Sequence, residues 1–315
     1  MDQSLGWPPD DPGDADPSLA DWKTEWDVTV TLQKLGHEVH SLGVMNELAP
    51  LRTAIWEKKP HVVFNLLEDF QDVPIYDQNV VAFLELSSAS YTGCNPRGLM
   101  LAPDKAISKT LLAHYRIPVP ELMVVPRGRK ARPPRRMTYP VIVKSRTKEG
   151  SEGIALSSVV DGDEKLGECV RFAHERVGTD AIVERYVHGR ELYVGILGNE
   201  RLKVLPIWEI LLGGLADSAP RIASAKVKWD PKYQEKHQIE SRAATDLDDA
   251  LVRRIRHICR RTYRILHLSG YARIDLRLDE SGQPFVIEAT RSDDLRAIAR
   301  ASCGGRGRGP TRVRR

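Results

Sequence analysis

From about residue 21 to residue 290, the chain alternates short apolar segments with amphipathic stretches of roughly 10–14 residues. This alternation is typical of α/β proteins, in which helices cover a sheet. The predicted helices span 21–36, 47–58, 76–89, 104–115, 163–177 and about 251–270. The predicted strands span 38–44, 61–65, 140–144, a segment starting at 154, 181–186, 191–197, 202–208, 271–278 and 284–290. The sequence therefore predicts an α/β fold, with a parallel sheet in its N-terminal part.

One element of that N-terminal pattern is missing. A parallel α/β unit normally opens with a strand, yet no apolar run precedes Asp21, which we expect to cap the first helix. Residues 1–20 are rich in Asp and Pro and offer little surface to bury. We therefore expect them to form a disordered acidic arm.

Composition and periodicity divide the chain into five expected segments. These are the arm over 1–20, an N-terminal α/β domain over 21–102, a central lobe over 103–198, a C-terminal lobe over 199–295 and an unstructured Arg/Gly tail over 296–315. Within the central lobe, a proline-rich link follows the helix 104–115. The tail lacks apolar periodicity, and we hypothesise that a change of reading frame produced it.

The formal net charge of +4 is distributed unevenly along the chain. Residues 1–20 contain five Asp and no basic residue, whereas residues 291–315 contain eight Arg against two Asp. The body therefore gives no strong electrostatic indication of a nucleic-acid partner. The tail has charge but no aromatic residue on which bases could stack, so nucleic-acid binding through it is the weakest functional alternative.

Several protein classes are not expected from the sequence. The apolar runs are shorter than the roughly 20 residues that a membrane helix needs, and no basic-then-apolar leader is present. The four cysteines are too dispersed for a zinc site or a disulfide framework; they are Cys94, Cys169, Cys259 and Cys303. We therefore expect a cytoplasmic protein with reduced thiols and no membrane association.

Two common phosphate-binding motifs are absent. Ser108-Lys109-Thr110 resembles the end of a Walker A loop, but no glycine stands upstream where that loop requires one. No G-x-G-x-x-G follows a predicted strand either. We therefore do not expect a P-loop fold or a dinucleotide-binding fold.

Charged residues instead stand singly at the ends of predicted elements. Lys105 opens a helix, and Lys144 ends a strand facing the glycine-containing loop 150–153, whose N–H groups could cradle phosphate oxygens. Glu184 and Glu191 flank a link between strands, where carboxylates suit hydrogen bonds to a base and a ribose. A lysine that ends a strand is also commonly a solvated surface charge, and that alternative stays open.

The last two predicted strands each carry a pair of polar side chains on one face. Arg273 and Asp275 are two residues apart, as are Glu288 and Thr290, so each pair shares a face of its strand. Two carboxylates on adjacent strands could hold Mg²⁺, which prefers oxygen ligands. A structural ladder of ion pairs is the alternative for these four residues.

Taken in order, these segments resemble the ATP-grasp superfamily, in its D-alanine–D-alanine ligase-like branch. The resemblance covers about 21–290. It rests on Phe64-Asn65, Tyr91-Thr92-Gly93, Asp104-Lys105, Val141-Ile142-Val143-Lys144, Gly150-Ser151-Glu152-Gly153, Glu184, Gly189-Arg190-Glu191, Lys228, Arg273-Ile274-Asp275 and Glu288.

The resemblance implies that two lobes clamp ATP. Segments 103–198 and 199–295 would be the central ATP-binding lobe and the C-terminal ATP-grasp lobe, and 21–102 the substrate-side domain. The implied nucleotide-binding residues are Lys105, Lys144, Gly150, Gly153, Glu184, Arg185, Tyr186 and Glu191. The implied catalytic residues are Arg273, Lys228 and Ser151. The implied ligands of Mg²⁺ or Mn²⁺ are Asp275, Glu288 and Thr290.

The reaction implied by the resemblance is the joining of a small carboxylate, such as an amino acid, to an amine through an acylphosphate. A homodimer is common in such ligases. Three features depart from the family pattern. Thr290 stands where Asn is usual, and the segment after it lacks the usual Pro/Gly-containing loop. The missing first strand would normally bring an acidic residue on the substrate side. A degenerate protein that binds ATP and Mg²⁺ without efficient turnover is therefore the alternative function.

Overall fold

The computed structural model describes residues 22–132, 137–147, 156–214, 220–224, 227 and 230–291. The chain divides into a unit that ends at Met100 and a unit that begins at Leu101. The acidic arm 1–20, the proposed cap Asp21 and the tail 296–315 lie outside the described residues. Among the helices that are described, none has the length and apolar character needed to cross a bilayer.

Short helices dominate the first unit. They are α1 (Lys23–Lys34), α2 (Ala49–Lys58), α3 (Asp77–Leu86) and α4 (Pro96–Leu101), and a 3-10 turn, Pro74–Tyr76, precedes α3. A proline in the first turn of α2 favours its start there, because the N–H that proline lacks would have no helical partner. The helices enclose a small apolar core made of Val44, Leu51, Leu67, Phe70, Val80 and Leu84.

The parallel pairing expected in this unit is confined to one bridge. The segments 38–44 and 61–65 do not form regular strands, but Val63 and Tyr91 form a parallel bridge. The Val63 N–H donates to the Ser90 carbonyl at 2.8 Å, and the Thr92 N–H donates to the Val63 carbonyl at 3.0 Å. The strand prediction was wrong for 38–44 because apolar alternation indicates a buried face but supplies no hydrogen-bonding partner.

The second unit begins with α5 (Lys105–His114) and a four-stranded antiparallel sheet. The strands are β1 (Leu122–Val125), β2 (Val141–Ser145), β3 (Val159–Val160) and β4 (Ala181–Arg185), in the spatial order β1-β4-β2-β3. Helix α6 (Asp163–Phe172) packs Leu166 and Val170 into the core of this sheet. Strand β1 was missed because it lies within the proline-rich link, where prolines flank it on both sides.

A five-stranded antiparallel sheet completes the second unit. Its strands are β5 (Arg190–Leu197), β6 (Lys203–Leu212), β7 (Ile239–Ala243), β8 (Tyr271–Leu278) and β9 (Pro284–Arg291), in the order β7-β6-β5-β8-β9. The predicted β5–β6 hairpin and the predicted β8–β9 pair are confirmed. Strand β5 is hydrogen-bonded in this sheet, although the sequence analysis grouped it with the central lobe; the lobe boundaries otherwise stay predictions.

Two helices accompany the five-stranded sheet, α7 (Pro231–Lys236) and α8 (Asp249–Ile265). The Asp248 side chain caps α8 by accepting a hydrogen bond from the Leu251 N–H at 2.8 Å. The buried face of α8 carries Ile255, Ile258, Cys259 and Tyr263, while its arginines lie mostly on the opposite, exposed face. Among the described residues, Cys94, Cys169 and Cys259 are free thiols.

Only four residues connect β4 of the first sheet to β5 of the second, and Gly189 ends this link. Gly189 has φ +128°, a conformation that residues with a side chain rarely adopt. A Cβ atom at this position would overlap the main-chain carbonyl of Leu278 at the end of β8. The link can therefore approach β8 this closely only with glycine.

We predict that Gly189→Ala lowers the free energy of unfolding by at least about 2 kcal/mol more than Gly282→Ala does. Gly282 also has a positive φ, of +77°, but no atom lies near the position of its missing Cβ, so it serves as a matched control. Urea titrations of both variants measure the difference. Equal losses would contradict the close approach of the link to β8.

Candidate functional site

A cleft in the second unit is lined by α5 and by the facing ends of both sheets. The space between its walls, counted to the open mouth, is about 620 Å³. The cleft is lined by Lys105, Ile142, Lys144, Glu184, Arg185, Tyr186, Val187, Glu191, Ile222, Ala223, Asp275, Leu276, Arg277, Ile287 and Glu288. The sequence predicted eight of these residues as site residues.

Helix α5 brings two lysines to this region of the molecule. The Asp104 carboxylate caps the helix, accepting from the N–H groups of Ala106 and Ile107 at 3.0 Å each. Lys105 and Lys109 are one helical turn apart and both are buried, whereas Ile107 on another face is 45% exposed. A helix that buries lysines and exposes isoleucine needs anions beside its buried face, because an unpaired buried charge is costly.

The first anion is Glu184 on β4, whose side chain is 1% exposed. Its Oε2 accepts from Lys109 Nζ, and its Oε1 accepts from Lys144 Nζ at 3.1 Å. Lys144 and Glu184 lie on neighbouring antiparallel strands, where Lys144 pairs with Ile182 and Glu184 pairs with Ile142. This register makes the two side chains diagonal neighbours on one face of the sheet.

Burial and neighbouring charges change the ionisation of Glu184 and of Lys109. Burial disfavours the charged form of Glu184, but the adjacent ammonium groups of Lys109 and Lys144 outweigh it and lower the carboxyl pKa. Burial lowers the pKa of Lys109 to about 8, and the attraction of Glu184 keeps it from falling further. Both groups are therefore charged at neutral pH.

A second group of charges lies on β8 and β9. Asp275 and Glu288 are directly opposed in the β8–β9 register, and Arg273 is opposed to Thr290. Arg273 Nε donates to Asp275 Oδ1 at 2.7 Å, and Nη2 donates to Oδ2 at 3.1 Å. Lys105 Nζ lies 2.8 Å from Glu288 Oε1. Each of the two carboxylates therefore has a cationic partner.

The donors on these two strands fit a hard divalent cation. Two opposed carboxylates and the Thr290 hydroxyl supply oxygen atoms, which Mg²⁺ prefers, and Mg²⁺ commonly keeps several waters in addition. Within the described ranges no cluster of three or more His, Cys, Asp or Glu side chains is present. The arrangement therefore suits an ion that shares its coordination with a bound ligand and with water.

A third ion pair lies where β5 meets β8. Glu191 and Arg277 are directly opposed, and Arg277 Nη2 lies 3.1 Å from Glu191 Oε2. Glu191 also accepts from the Tyr193 hydroxyl at 2.8 Å and from the Ala223 N–H at 3.3 Å. Burial and the neighbouring Glu191 carboxylate raise the pKa of Tyr193 well above its usual value, so its hydroxyl stays protonated as a donor.

Arg277 also links two segments that contribute to the cleft lining, the β4–β5 link and residues 220–224. Its guanidinium donates to the main-chain carbonyls of Gly189, at 3.1 Å, and of Arg221. It lies over the Tyr186 ring, 5.5 Å from the centroid, and the Tyr186 hydroxyl donates to the same Arg221 carbonyl at 3.2 Å. The β4–β5 link and the segment 220–224 are therefore joined through one buried arginine.

The structure brings most of the predicted site residues together. Eight of them line the cleft, and Arg273 and Thr290 lie on the same two strands as Asp275 and Glu288. Four others lie outside the described residues; they are Gly150, Ser151, Gly153 and Lys228. The individual roles of all these residues stay predictions.

Two buried residues of the site, Lys109 and Arg277, were missed. Lys109 was considered only as the end of a Walker A loop and was set aside with that motif. Its spacing of four from Lys105 and three from Leu112 places it on the buried face of α5, and this signal could have identified it. Arg277 continues the period-two pattern of Arg273 and Asp275 along β8, so the same face could have been extended by one more position.

Comparisons with known proteins agree with this geometry. The sequence profile of the family described as "D-ala D-ala ligase C-terminus" matches residues 111–292. The protein y4sG of Sinorhizobium fredii, described as uncharacterized, is 37% identical over 227 residues. The match covers 72% of this chain and 64% of y4sG, so this chain spans less than two thirds of that relative.

Further relatives carry the name D-alanine–D-alanine ligase. The one from Desulforudis audaxviator is 29% identical over 269 residues, which is 83% of this chain and 79% of that protein. The crystal structure of the D-alanine–D-alanine ligase from Bacillus anthracis superposes with a TM-score of 0.66 at 19% identity, covering 89% of this chain and 86% of that one. The structure of that enzyme complexed with ATP gives a TM-score of 0.63 at 20% identity, over 85% and 80% of the two chains.

The structural likeness establishes the ATP-grasp fold, and the match of the family profile covers more than half of the chain. The predicted fold class and the predicted family are thus confirmed. The chain belongs to the D-alanine–D-alanine ligase family, a branch of the ATP-dependent ligases with the ATP-grasp fold.

Proposed function

We propose that this protein is an ADP-forming carbon–nitrogen ligase that joins two small amino acids through an acylphosphate. The observation that carries the proposal is the arrangement of lysines and carboxylates around one cleft. Lys105 and Lys144 line this cleft together with the opposed Asp275 and Glu288. A nucleoside triphosphate with a divalent cation matches this combination, because phosphates need cations and the metal needs carboxylates.

The nucleotide would lie with its phosphates toward α5 and β2. There the ammonium groups of Lys105 and Lys144 would bind phosphate oxygens. The apolar side chains of Ile142 and Ile222 and the Tyr186 ring form a small cluster in the lining that would receive the base. The Glu191 carboxylate, which accepts from the N–H of Ala223 next to Ile222, would accept hydrogen bonds from the ribose hydroxyls.

Mg²⁺ would be held by Asp275, Glu288 and Thr290, and when bound it would neutralise charge on the phosphates. Lys105 and Arg273 balance the two carboxylates in the structure. The Arg273 guanidinium is held by Asp275 and by the Tyr193 ring, whose centroid lies 5.1 Å from Arg273 Cζ. Arg273 is thus positioned rigidly for a role in stabilising the charge of the transferring phosphoryl group.

The proposed chemistry has two steps. A carboxylate oxygen of the first substrate attacks the γ-phosphorus, the bond to the β,γ-bridging oxygen breaks, and ADP leaves with that electron pair. The amine of the second substrate then attacks the acyl carbon, loses a proton and expels inorganic phosphate. Positioning and charge neutralisation supply most of the catalysis in such a reaction.

The substrate class is proposed from the relatives. Those named D-alanine–D-alanine ligase support a D-amino acid as the acid, the amine or both.

We also propose the phosphate-binding role of the loop with Gly150 and Gly153, the catalytic role of Ser151 and the γ-phosphate contact of Lys228. These residues lie outside the described residues, and their roles rest on the family pattern alone.

We predict that one or more amino acids stimulate the release of ADP from ATP, and that Asp275→Asn lowers this stimulated rate at least about 100-fold. A coupled ADP assay over a panel of D- and L-amino acids measures the rate. Asp248→Asn is the matched control, since asparagine also caps helices and Asp248 lies at the start of α8. Tight binding of ATP and Mg²⁺ without stimulated turnover would instead support the degenerate alternative.

We predict that Thr290→Asn lowers the Mg²⁺ concentration for half-maximal activity by about three- to ten-fold, because an amide oxygen reaches further than a hydroxyl and is a better ligand. Thr290→Val has nearly the shape of threonine and should raise that concentration. Titrations with Mg²⁺ at saturating ATP measure both effects. An unchanged Mg²⁺ requirement in both variants would remove Thr290 from the metal site.

A further inference from the structure

Lys109 is a buried lysine beside the cleft. Its side chain is 2% exposed and does not line the cleft. Its ammonium contacts Glu184, which in turn holds Lys144. The proposed function uses Lys144 but gives Lys109 no part, although burying a lysine is costly. This buried lysine therefore needs an explanation of its own.

The charges of the described ion pairs around the cleft show what Lys109 adds. Three of them join a cation to a carboxylate: Lys105 with Glu288, Arg273 with Asp275 and Arg277 with Glu191. At Glu184 two lysines share one carboxylate. Without Lys109, the pair of Lys144 and Glu184 would be neutral. With it, this group of three carries one surplus positive charge.

We propose that Lys109 is a positioning residue that holds Glu184 and thereby leaves the Lys144 ammonium with unbalanced charge for the phosphates of the nucleotide. Each oxygen of Glu184 faces one lysine, so Glu184 is shared and Lys144 is not its sole partner. Lys144 is also the member of the three that lines the cleft. The proposal rests on the proposed nucleotide site and adds a residue that never touches the ligand.

The charge states of the surrounding groups agree with this geometry. The carboxyl pKa of Glu184 is lowered by its two lysines, and Lys109, with a pKa of about 8, is charged at pH 7. The charged groups that face Lys109 are Glu184 on β4, Lys144 on β2 and, at longer range, Glu288 on β9. A purely structural ion pair between Lys109 and Glu184 is the competing explanation, and it makes no distinction between charged and uncharged ligands.

The net charge of Lys109, Glu184 and Lys144 gives a test in which a second mutation compensates for the first. Lys109→Met removes the surplus charge, while Lys109→Met combined with Glu184→Gln restores it, because one cation and one anion are lost together. Lys109→Arg keeps the surplus and serves as the conservative variant. Dissociation constants for ATP and for adenosine are measured by calorimetry at pH 7, with the full chain and Mg²⁺ present.

We expect Lys109→Met to weaken ATP binding about 10- to 100-fold while adenosine binding changes less than about three-fold, because adenosine carries no phosphate. The double variant should keep a preference for ATP over adenosine within about five-fold of that of the parent chain, because any contact of Glu184 with the base is common to both ligands. Lys109→Arg should keep this preference likewise. Equal losses for ATP and adenosine in Lys109→Met would overturn the proposal. So would a double variant whose preference for ATP is no greater than that of the single one.

If Lys109→Met does not fold, the double variant decides the question alone. The net charge at these three positions is +1 as in the parent, so a folded double variant with a ten-fold loss of ATP affinity that adenosine does not share would overturn the proposal. The parent chain separates this result from a failure of the proposed function. If the parent chain binds ATP no better than adenosine, the nucleotide site itself is contradicted. If the parent chain and Lys109→Met prefer ATP over adenosine to the same degree, only the role of Lys109 is contradicted.

Discussion

The buried carboxylate of Glu184 is the interaction on which the site depends. It lies in the first sheet, yet it holds a lysine from α5 and a lysine from β2, so it joins the helix to the sheet at the inner end of the cleft. Breaking a buried ion pair by removing one partner costs about 3–5 kcal/mol, because the remaining charge is left uncompensated. These mutually dependent ion pairs fix the position of α5. They thereby also place Lys105, at the start of α5, beside Glu288 of the second sheet.

Strand geometry positions the other charged pairs near the cleft. Glu191 meets Arg277 across a strand pair, and Arg273 meets Asp275 two residues along one strand. Arg277 then fixes the segment 220–224 and the β4–β5 link to β8 through their main-chain carbonyls. The cleft is thus formed by main-chain geometry and charge pairing together.

Much of this arrangement could be predicted from the sequence, for a physical reason. The pairs Arg273/Asp275 and Glu288/Thr290 follow the two-residue period of a strand, so their shared faces are local properties of the sequence. The same is not true of the partner of a buried lysine. Lys109 and Glu184 are 75 residues apart, and only the tertiary structure reveals that each neutralises the other. Likewise, the apolar segment 38–44 satisfies the local pattern of a strand, but a strand also needs a neighbour, which local sequence does not specify.

Following the carboxylate oxygens of the amino-acid substrate into the products tests the proposed ligase mechanism most directly. An amino acid that stimulates ADP release is labelled with oxygen-18 in its carboxylate, and the inorganic phosphate produced is analysed by mass spectrometry. Phosphoryl transfer to the carboxylate predicts that each phosphate formed carries one labelled oxygen, because the acyl C–O bond breaks when the amine attacks. Unlabelled phosphate would show that water, and not the amino acid, receives the phosphoryl group, and would contradict a ligase mechanism at this cleft.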